Sequence, residues 1–196
     1  HTLPAKRKTR LPEPELTHTL NNPDSDPIIC RIRQIGFANE KGDKVNVIYV
    51  PCYLNGADGI FNTAYYDLLI GMDATVFPSY YEPWGYTPLE SVAFGVPTVT
   101  TTLSGFGQWV LATDENTFDA CGVNVIARGD FNYDEVAARI ANSLKYLISA
   151  DQQQTTLIRS RAINLASLAA WSYFIEYYVD AFRIALDSAR MRATED

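Results

Sequence analysis

The segment that decides the fold of this chain is Ala74-Thr-Val-Phe77-Pro-Ser-Tyr-Tyr-Glu82-Pro-Trp-Gly85-Tyr-Thr-Pro88-Leu-Glu90. It joins a short apolar run, typical of a buried strand, to a stretch with helical character that begins at about Pro88. Two carboxylates, Glu82 and Glu90, lie on either side of this turn. The first amides of a helix have no partner within the helix, and such amides suit a phosphate. We therefore expect the amides of residues 85–87 to face a bound ligand.

Strands and helices alternate on both sides of this turn. Strands are predicted at 45–50, 74–77, 97–101 and 123–127, and helices at about 63–72, 88–95 and 133–149. Short strands that are apolar on both faces pair in parallel and are covered by helices. The sequence thus predicts an α/β fold with a Rossmann-like parallel sheet and flanking helices, one half of a doubly wound nucleotide-binding fold. Ligands of such sheets bind beyond the carboxyl ends of the strands, where the Glu82 turn lies.

Three regions are predicted along the chain. Residues 1–26 are rich in Pro, Thr, Asn and charged residues, which is typical of a loop or linker. Residues 27–150 form the partial Rossmann-like domain, and 151–196 form C-terminal helices that pack on it. The tail carries aromatic and aliphatic residues at helical spacing, which predicts packing against a neighbouring face that lies partly outside this chain: Phe174, Tyr177, Tyr178, Ala181, Phe182, Ala185 and Leu186.

The composition restricts the function class. At 196 residues and 47% hydrophobic, the chain can bury one good core. Its formal net charge of −7 argues against a nucleic-acid partner, which would need a basic face to neutralise phosphates. No apolar run approaches the roughly 20 residues of a membrane helix, and the beginning of the sequence lacks a secretory signal. These features predict a soluble, cytoplasmic protein.

Cysteine and histidine usage predicts no metal site. Cys30, Cys52 and Cys121 are widely spaced and form no CxxC pair, which suits reduced core thiols in a cytosolic protein. Neither His1 nor His18 stands near a cysteine or a carboxylate cluster along the sequence. No cofactor is therefore expected.

Three blocks of sequence carry a family resemblance. Residues 78–88, 95–101 and 103–107 resemble, in this order, the signature of glycogen synthases of the animal and fungal type. Those enzymes are retaining glucosyltransferases of the GT-B fold, and the resemblance covers their C-terminal, nucleotide-binding half, from Asp26 to Trp171 of this chain. Two glutamates with seven residues between them would occur often by chance, but the eleven-residue block around Glu82 is specific.

The resemblance assigns roles at the turn. It implies that Glu82 lies by the donor glucose as the catalytic candidate and that Glu90 lies by the ribose of the nucleotide. It also implies that the donor diphosphate is held by Gly85, Tyr86 and Thr87. A different interpretation needs no ligand, because acidic residues near a helix N-terminus stabilise the helix dipole by ~0.3 to 1 kcal/mol each. The glycine, the threonine and the loop at 103–107 favour the functional interpretation.

Further residues of the region have less specific assignments. The resemblance implies that a tyrosine seventeen positions before Glu82 stacks on uracil, and Tyr65 stands at that spacing, with Tyr66 beside it. Trp84 packs against the sugar site or acts as a structural plug of the turn. Gly105 and Gly107 let the backbone approach the donor closely, permit a tight turn with positive φ, or do both.

The resemblance also implies the partners: UDP-glucose as donor and an α-1,4-glucan, glycogen, as acceptor. Residues 78–107 contain no Lys or Arg, although cationic side chains normally complete a diphosphate site. In the family those cations and the N-terminal GT-B half lie outside the segment matched here, so the chain is expected to be a fragment that is inactive alone. The family's arginine-rich helix for glucose 6-phosphate corresponds to residues 151–164, where Arg159 and Arg161 do not share a helix face and predict a weak site.

Two alternatives remain. The first is another retaining GT-B enzyme, with ADP-glucose or a different acceptor, because the same turn serves many donors. The second is a noncatalytic scaffold module for glucan enzymes, which would bind no nucleotide. The sequence leaves a homo-oligomer open.

Overall fold

The computed structural model describes residues 15–16, 18–37, 39–59, 61–113 and 116–195. The chain divides into two compact units, residues 1–67 and 68–196. Most of the predicted regular structure, including the Glu82 turn, belongs to the second unit.

The first unit contains a two-stranded parallel sheet. Strand β1 (Glu15–Leu16) pairs with β2 (Ile48–Tyr49), so that Glu15 lies opposite Ile48. Between them, α1 (Pro27–Ile35) begins after Asp26, whose carboxylate accepts hydrogen bonds from the amides of Ile28 and Ile29, both at 2.9 Å. This is the side-chain cap expected before a proline at the first helical position.

The prediction of a strand over 45–50 in the main sheet is wrong. Only residues 48 and 49 form a strand, which pairs with β1 inside the stretch predicted to be a loop. Val45 and Ile48 are 52% and 54% exposed, so this run is not apolar on both faces as a central strand requires. Residues 1–14 and 17 of the predicted linker lie outside the described residues.

The second unit contains a three-stranded parallel sheet in the order β3-β4-β5. Its strands are β3 (Thr75–Val76), β4 (Thr98–Thr101) and β5 (Val123–Ile126). Helix α2 (Tyr65–Ile70) spans the boundary between the units and leads into β3. The other helices are α3 (Tyr86–Ala93), α4 (Gly105–Ala112), α5 (Phe118–Cys121), α6 (Tyr133–Ser149), α7 (Gln152–Leu168) and α8 (Trp171–Glu195). This mixed α/β arrangement confirms the predicted Rossmann-like fold class.

The core of this unit surrounds β4, which is buried along its whole length. Two buried clusters cover the sheet. The first comprises Val92, Phe106, Val110, Cys121, Val123, Val125, Ala162 and Leu165. The second comprises Val99, Phe118, Ile126, Val136 and Ile158. Parallel strands buried on both faces are expected in α/β sheets, since helices cover each side.

Helix α7 packs on the unit through the buried residues Ile158, Ala162 and Leu165, and Arg159 adds polar contacts. Arg159 donates hydrogen bonds to the carbonyl oxygens of Met72 at 2.7 Å and Gly95 at 3.3 Å, just before β3 and β4. Its guanidinium also lies 3.9 Å from a carboxylate oxygen of Asp73. One of the two arginines in the proposed effector helix therefore supports the fold. The weak glucose 6-phosphate site stays a prediction.

The aromatic stripe of α8 is packed at only one of its large side chains. Phe174 is half-buried, whereas Tyr177, Tyr178, Phe182 and Leu186 are exposed. Packing of these residues against a face that lies partly outside this chain stays a prediction, because helical spacing tells which residues share a face and not what covers that face.

The cysteines are all free, but only Cys121 lies in the core. Cys30 is exposed and Cys52 is half-buried, so the prediction of three core thiols was wrong for these two. His18 does approach a cysteine, since its Nδ1 lies 3.6 Å from Sγ of Cys52. Distance along the sequence gave no sign of this contact.

No helix among the described residues combines the length and the apolar character needed to cross a lipid bilayer.

Tyr146 links three helices and predicts a pH-dependent contribution to stability. Its hydroxyl donates to the carboxylate of Asp119 and accepts a hydrogen bond from Nε2 of Gln154 at 2.6 Å. The hydrogen bond to Asp119, with some desolvation, raises the pKa of Tyr146 above its ordinary value of 10.0. The folded state thus favours the protonated phenol, so its stabilisation is complete below pH 10 and is lost as pH rises through the raised pKa.

We expect Tyr146→Phe to lower the free energy of unfolding by about 1 kcal/mol at pH 8. The difference from wild type should shrink above pH 10, measured by urea unfolding at both values. Tyr133→Phe is the control, because that side chain is exposed at the start of the same helix. An equal loss at pH 8 and at pH 11 would contradict the assignment.

Candidate functional site

The site begins with the N-terminus of α3, which starts at Tyr86, two residues earlier than predicted. Gly85 caps it with a φ of +110°, a conformation that residues with a Cβ rarely adopt. No hydrogen-bond partner for the amides of Tyr86 and Thr87 exists in the part of the chain that the structure describes. Both residues are exposed. Two main-chain donors are therefore open to a ligand at this helix end.

The main chain around Glu82 is held by the loop that follows β4. The amide of Glu82 donates to the carbonyl oxygen of Leu103 at 3.0 Å, and the amide of Gly105 donates to that of Glu82 at 3.0 Å. A third bond runs from the amide of Phe106 to the carbonyl oxygen of Trp84 at 2.6 Å. Together they form a short parallel pairing that fixes the backbone of Glu82 on both sides.

The pairing explains Gly105, and a second close approach, to the end of β4, explains Gly107. Neither has a positive φ; both lie in the first turn of α4, a helix that was not predicted. A Cβ on Gly105 would stand 2.3 Å from the carbonyl oxygen of Pro83, and one on Gly107 would stand 2.2 Å from that of Thr101. The interpretation as turn residues with positive φ was wrong. These glycines let the chain approach itself, while an approach to a donor stays a prediction.

Trp84 packs inside an aromatic cluster. Its ring centroid lies 5.7 Å from that of Phe174, 6.1 Å from that of Trp109 and 6.5 Å from that of Phe106. The rings of Phe174 and Phe106 meet it edge to face, a favourable geometry for aromatic pairs. Trp84 thus fastens the Glu82 turn to α4 and α8, as in the structural-plug alternative. Its contact with a sugar stays a prediction.

The carboxylate of Glu82 is half-buried and has no hydrogen bond or ion pair to any residue that the structure describes. An ionised carboxylate in such a position can accept hydrogen bonds from a ligand or stabilise a positive charge beside it. Glu90 lies in the second turn of α3 and is also half-buried. Residues three and four apart are neighbours on a helix surface, so Glu90 shares a face with Thr87 and Tyr86.

Tyr65, the predicted uracil partner, is the first residue of α2. Its ring centroid lies 5.4 Å from that of Tyr66, and the two rings are tilted by 55°. Tyr65 is half-buried and Tyr66 is exposed. Both tyrosines belong to the first unit, whereas the Glu82 turn belongs to the second. The choice between them as a stacking partner stays a prediction.

One cation at the site was missed by the sequence analysis. Arg128 follows β5, and its Nη1 donates to the carbonyl oxygen of Pro78 at 2.5 Å, four residues before Glu82. Its guanidinium carbon lies 5.0 Å from the centre of the Tyr80 ring. The signal was present in the sequence, because residues just after parallel strands meet at one edge of the sheet.

Comparison with known proteins identifies the family. Residues 1–194 match the family model described as glycogen synthase. The chain is 35% identical over 178 residues to the liver glycogen [starch] synthase of Mus musculus, an alignment that covers 90% of this chain and 25% of that protein. It is 33% identical over 189 residues to glycogen [starch] synthase of Neurospora crassa, covering 96% of this chain and 25% of the relative.

Isoform 1 of glycogen [starch] synthase from Saccharomyces cerevisiae is 34% identical over 179 residues, 90% of this chain and 25% of the relative. The chain therefore spans about a quarter of the length of the curated relatives it matches. The match of the family model over nearly the whole chain agrees with the α/β fold and with the motif at the Glu82 turn. This chain belongs to the glycogen synthase family.

Proposed function

We propose that this chain is the C-terminal donor-binding part of a glycogen synthase. The longer enzyme transfers glucose from UDP-glucose, with retention of anomeric configuration, to the non-reducing end of an α-1,4-glucan. One observation carries the proposal in this glycogen synthase family chain. The half-buried Glu82, whose carboxylate has no hydrogen bond or ion pair to any residue that the structure describes, stands three residues before the N-cap of a helix whose first two amides have no described partner.

The open amides of α3 suit the diphosphate of the donor. A helix N-terminus carries about half a positive charge and presents N–H groups that bind phosphate oxygens. In this proposal the amides of Tyr86 and Thr87 hold the diphosphate, and Gly85, whose positive φ forms the turn before them, completes the cradle. Glu90, on the same face of α3, accepts a hydrogen bond from the ribose, and Tyr65 stacks on the uracil.

The chemistry places opposite charges on the two sides of the breaking bond. When the bond between C1 of glucose and the phosphate oxygen breaks, negative charge grows on the departing UDP and positive charge grows on the sugar ring. The amides stabilise the first charge and the carboxylate of Glu82 stabilises the second. A hydroxyl oxygen of the glucan then forms the new bond to C1, on the face from which UDP departs, and its proton passes to a phosphate oxygen of the departing UDP.

The lack of cationic side chains on this turn favours the interpretation that the chain acts as part of a longer enzyme. A diphosphate carries more negative charge than one helix N-terminus can neutralise, and residues 78–107 supply no Lys or Arg. Arg128 is engaged by the Pro78 carbonyl oxygen and the Tyr80 ring. We therefore expect the chain alone to bind UDP weakly and to transfer no glucose.

The free cysteines of the chain support a location of the enzyme in the cytoplasm, where thiols are kept reduced.

Titration with UDP and, separately, with ADP tests the nucleotide site. We expect UDP to bind this chain more tightly by calorimetry. Thr87→Ala keeps the main-chain amide but removes the hydroxyl, which in this proposal donates a further hydrogen bond to the diphosphate. It should weaken UDP binding about 5-fold, the value of one hydrogen bond of about 1 kcal/mol. Tyr65→Ala should weaken it by roughly 5-fold or more, because stacking on a base contributes about 1 to 3 kcal/mol.

Matched controls are Thr156→Ala on α7 and Tyr53→Ala, whose side chain is 94% exposed. Neither control should change UDP affinity. Tighter binding of ADP would contradict the UDP-glucose assignment and favour a different retaining transferase. Absence of binding both here and in the longer enzyme would favour a noncatalytic scaffold.

The close approach at Gly105 predicts that its replacement disturbs the donor site. In Gly105→Ala the new methyl group meets the Pro83 carbonyl oxygen at 2.3 Å, so the Glu82 turn must shift. We expect the free energy of unfolding to fall by about 1 to 3 kcal/mol, which is typical of overpacking, and UDP affinity to fall with it.

Gly129→Ala is the control, because no atom lies within 4 Å of a Cβ built there and its φ is not positive. Its stability should stay within about 0.5 kcal/mol of wild type. Equal stability of Gly105→Ala and Gly129→Ala in urea unfolding would show that the turn does not depend on this close approach.

A further inference from the structure

A group of four residues joins the loop before Glu82 to the loop after β5; it comprises Pro78, Tyr80, Arg128 and Asp130 and is called the loop clasp below. Nη1 of Arg128 donates to the carbonyl oxygen of Pro78 at 2.5 Å. The same guanidinium lies 5.0 Å from the centre of the Tyr80 ring. The hydroxyl of Tyr80 donates to the carboxylate of Asp130. Two residues of each loop thus hold one another.

Arg128 projects from a rigid base. Its amide donates to Oγ1 of Thr102 at 3.0 Å, directly after β4. The amide of Gly129 donates to Oδ1 of Asn132 at 2.8 Å, and Nδ2 of Asn132 donates to the carbonyl oxygen of Ala127 at 3.0 Å. These bonds close the turn that carries Arg128 and Asp130, so the main chain from which the Arg128 side chain extends is fixed relative to the sheet.

The loop that the clasp holds has anchors at both ends. At one end Oγ1 of Thr101 donates to the carbonyl oxygen of Ser79 at 2.6 Å. At the other, Glu82 pairs with the chain around Ser104. Only Tyr80 and Tyr81 lie between these anchors, and Tyr81 is 83% exposed. The side chain of Tyr80 is therefore the one that ties this interval to the neighbouring loop.

Arg128 and Tyr80 have the chemical groups that their contacts in the loop clasp require. An arginine can donate from the edge of its planar guanidinium while a face of the same group lies over an aromatic ring, whereas a lysine ammonium offers a point charge only. A tyrosine phenol has an ordinary pKa of 10.0 and is a donor at neutral pH, and the hydrogen bond to Asp130 raises the pKa of Tyr80 further. The nearby charge of Arg128 acts in the opposite direction and is the smaller effect.

We infer that Arg128 is a positioning residue for glucose transfer: with Tyr80 and Asp130 it holds the loop before Glu82, so that the Glu82 carboxylate keeps its place beside the donor sugar. This inference rests on the proposed function. It assigns Arg128 to the support of Glu82 and not to the neutralisation of the donor diphosphate. Its contacts with the Pro78 carbonyl oxygen and the Tyr80 ring support that assignment.

Steady-state kinetics of the longer enzyme that contains this chain provide the first test. A misplacement of about 1 Å at a reacting group costs on the order of 10²-fold in rate. We therefore expect Arg128→Ala to lower kcat by roughly 10- to 100-fold and to change the KM for UDP-glucose by less than about 2-fold. Arg128→Lys should recover part of the loss. Arg139→Ala, which removes an exposed arginine paired with Glu135 on α6, should leave both constants unchanged.

Hydrogen exchange of this chain without nucleotide provides a second test, which is independent of the proposed function. Arg128→Ala and Tyr80→Phe should both speed amide exchange in residues 79–84 and leave exchange in α7 unchanged, since the clasp touches only the first of these. Tyr80→Phe keeps the ring under Arg128 and removes only the bond to Asp130, so it serves if Arg128→Ala does not fold.

The outcomes separate the two hypotheses. Faster exchange in residues 79–84 together with a loss in kcat would support the inference. Faster exchange without any UDP binding or transfer by the wild-type enzyme would contradict the proposed function, and the clasp would then be only a loop tether. Unchanged exchange, or a raised KM with unchanged kcat, would overturn the inference, the latter because it indicates direct binding of the donor by Arg128.

Discussion

The candidate site depends on the close pairing between residues 82–84 and residues 103–106. Three main-chain hydrogen bonds join the two segments, and Gly105 allows them because any Cβ there would collide with the Pro83 carbonyl oxygen. The pairing fixes the backbone of Glu82, and α3 starts at Tyr86, two residues after Trp84. Trp84 itself packs among Trp109, Phe106 and Phe174. The position of the Glu82 carboxylate and that of the open amides of Tyr86 and Thr87 therefore depend on the same local pairing.

Several elements were predictable because their causes are local. Helix α6 spans Tyr133–Ser149, the range predicted from its apolar stripe. The strands before and after the Glu82 turn were predicted within one or two residues, because short runs that are apolar on both faces favour a parallel sheet. The open amides of Tyr86 and Thr87 were predicted because the first amides of a helix have no partner within that helix.

Other features depend on contacts between distant residues and were missed. Gly105 and Gly107 resemble turn residues locally, and only the backbone of Pro83 and Thr101 shows why glycine is needed. Ser104 gave a sign of α4, because it caps the helix by accepting from the amide of Gly107 at 3.0 Å. The contact of Arg128 with Pro78 joins residues fifty positions apart, and the only sign of it in the sequence was that both residues follow strands of the same parallel sheet. The exposure of Tyr177 and Phe182 on α8 likewise depends on what covers the helix and not on its own pattern.

The central claim is that Glu82 acts on the sugar while the N-terminus of α3 holds the diphosphate. The most direct measurement compares Glu82→Gln with wild type in the longer enzyme, following both glucose transfer and UDP affinity. The account predicts that transfer falls by at least about 10²-fold, as for the loss of one electrostatic group in an active site, while UDP affinity stays within about 2-fold. Retention of transfer by Glu82→Gln would contradict the account, and so would a loss that comes entirely from weaker UDP binding.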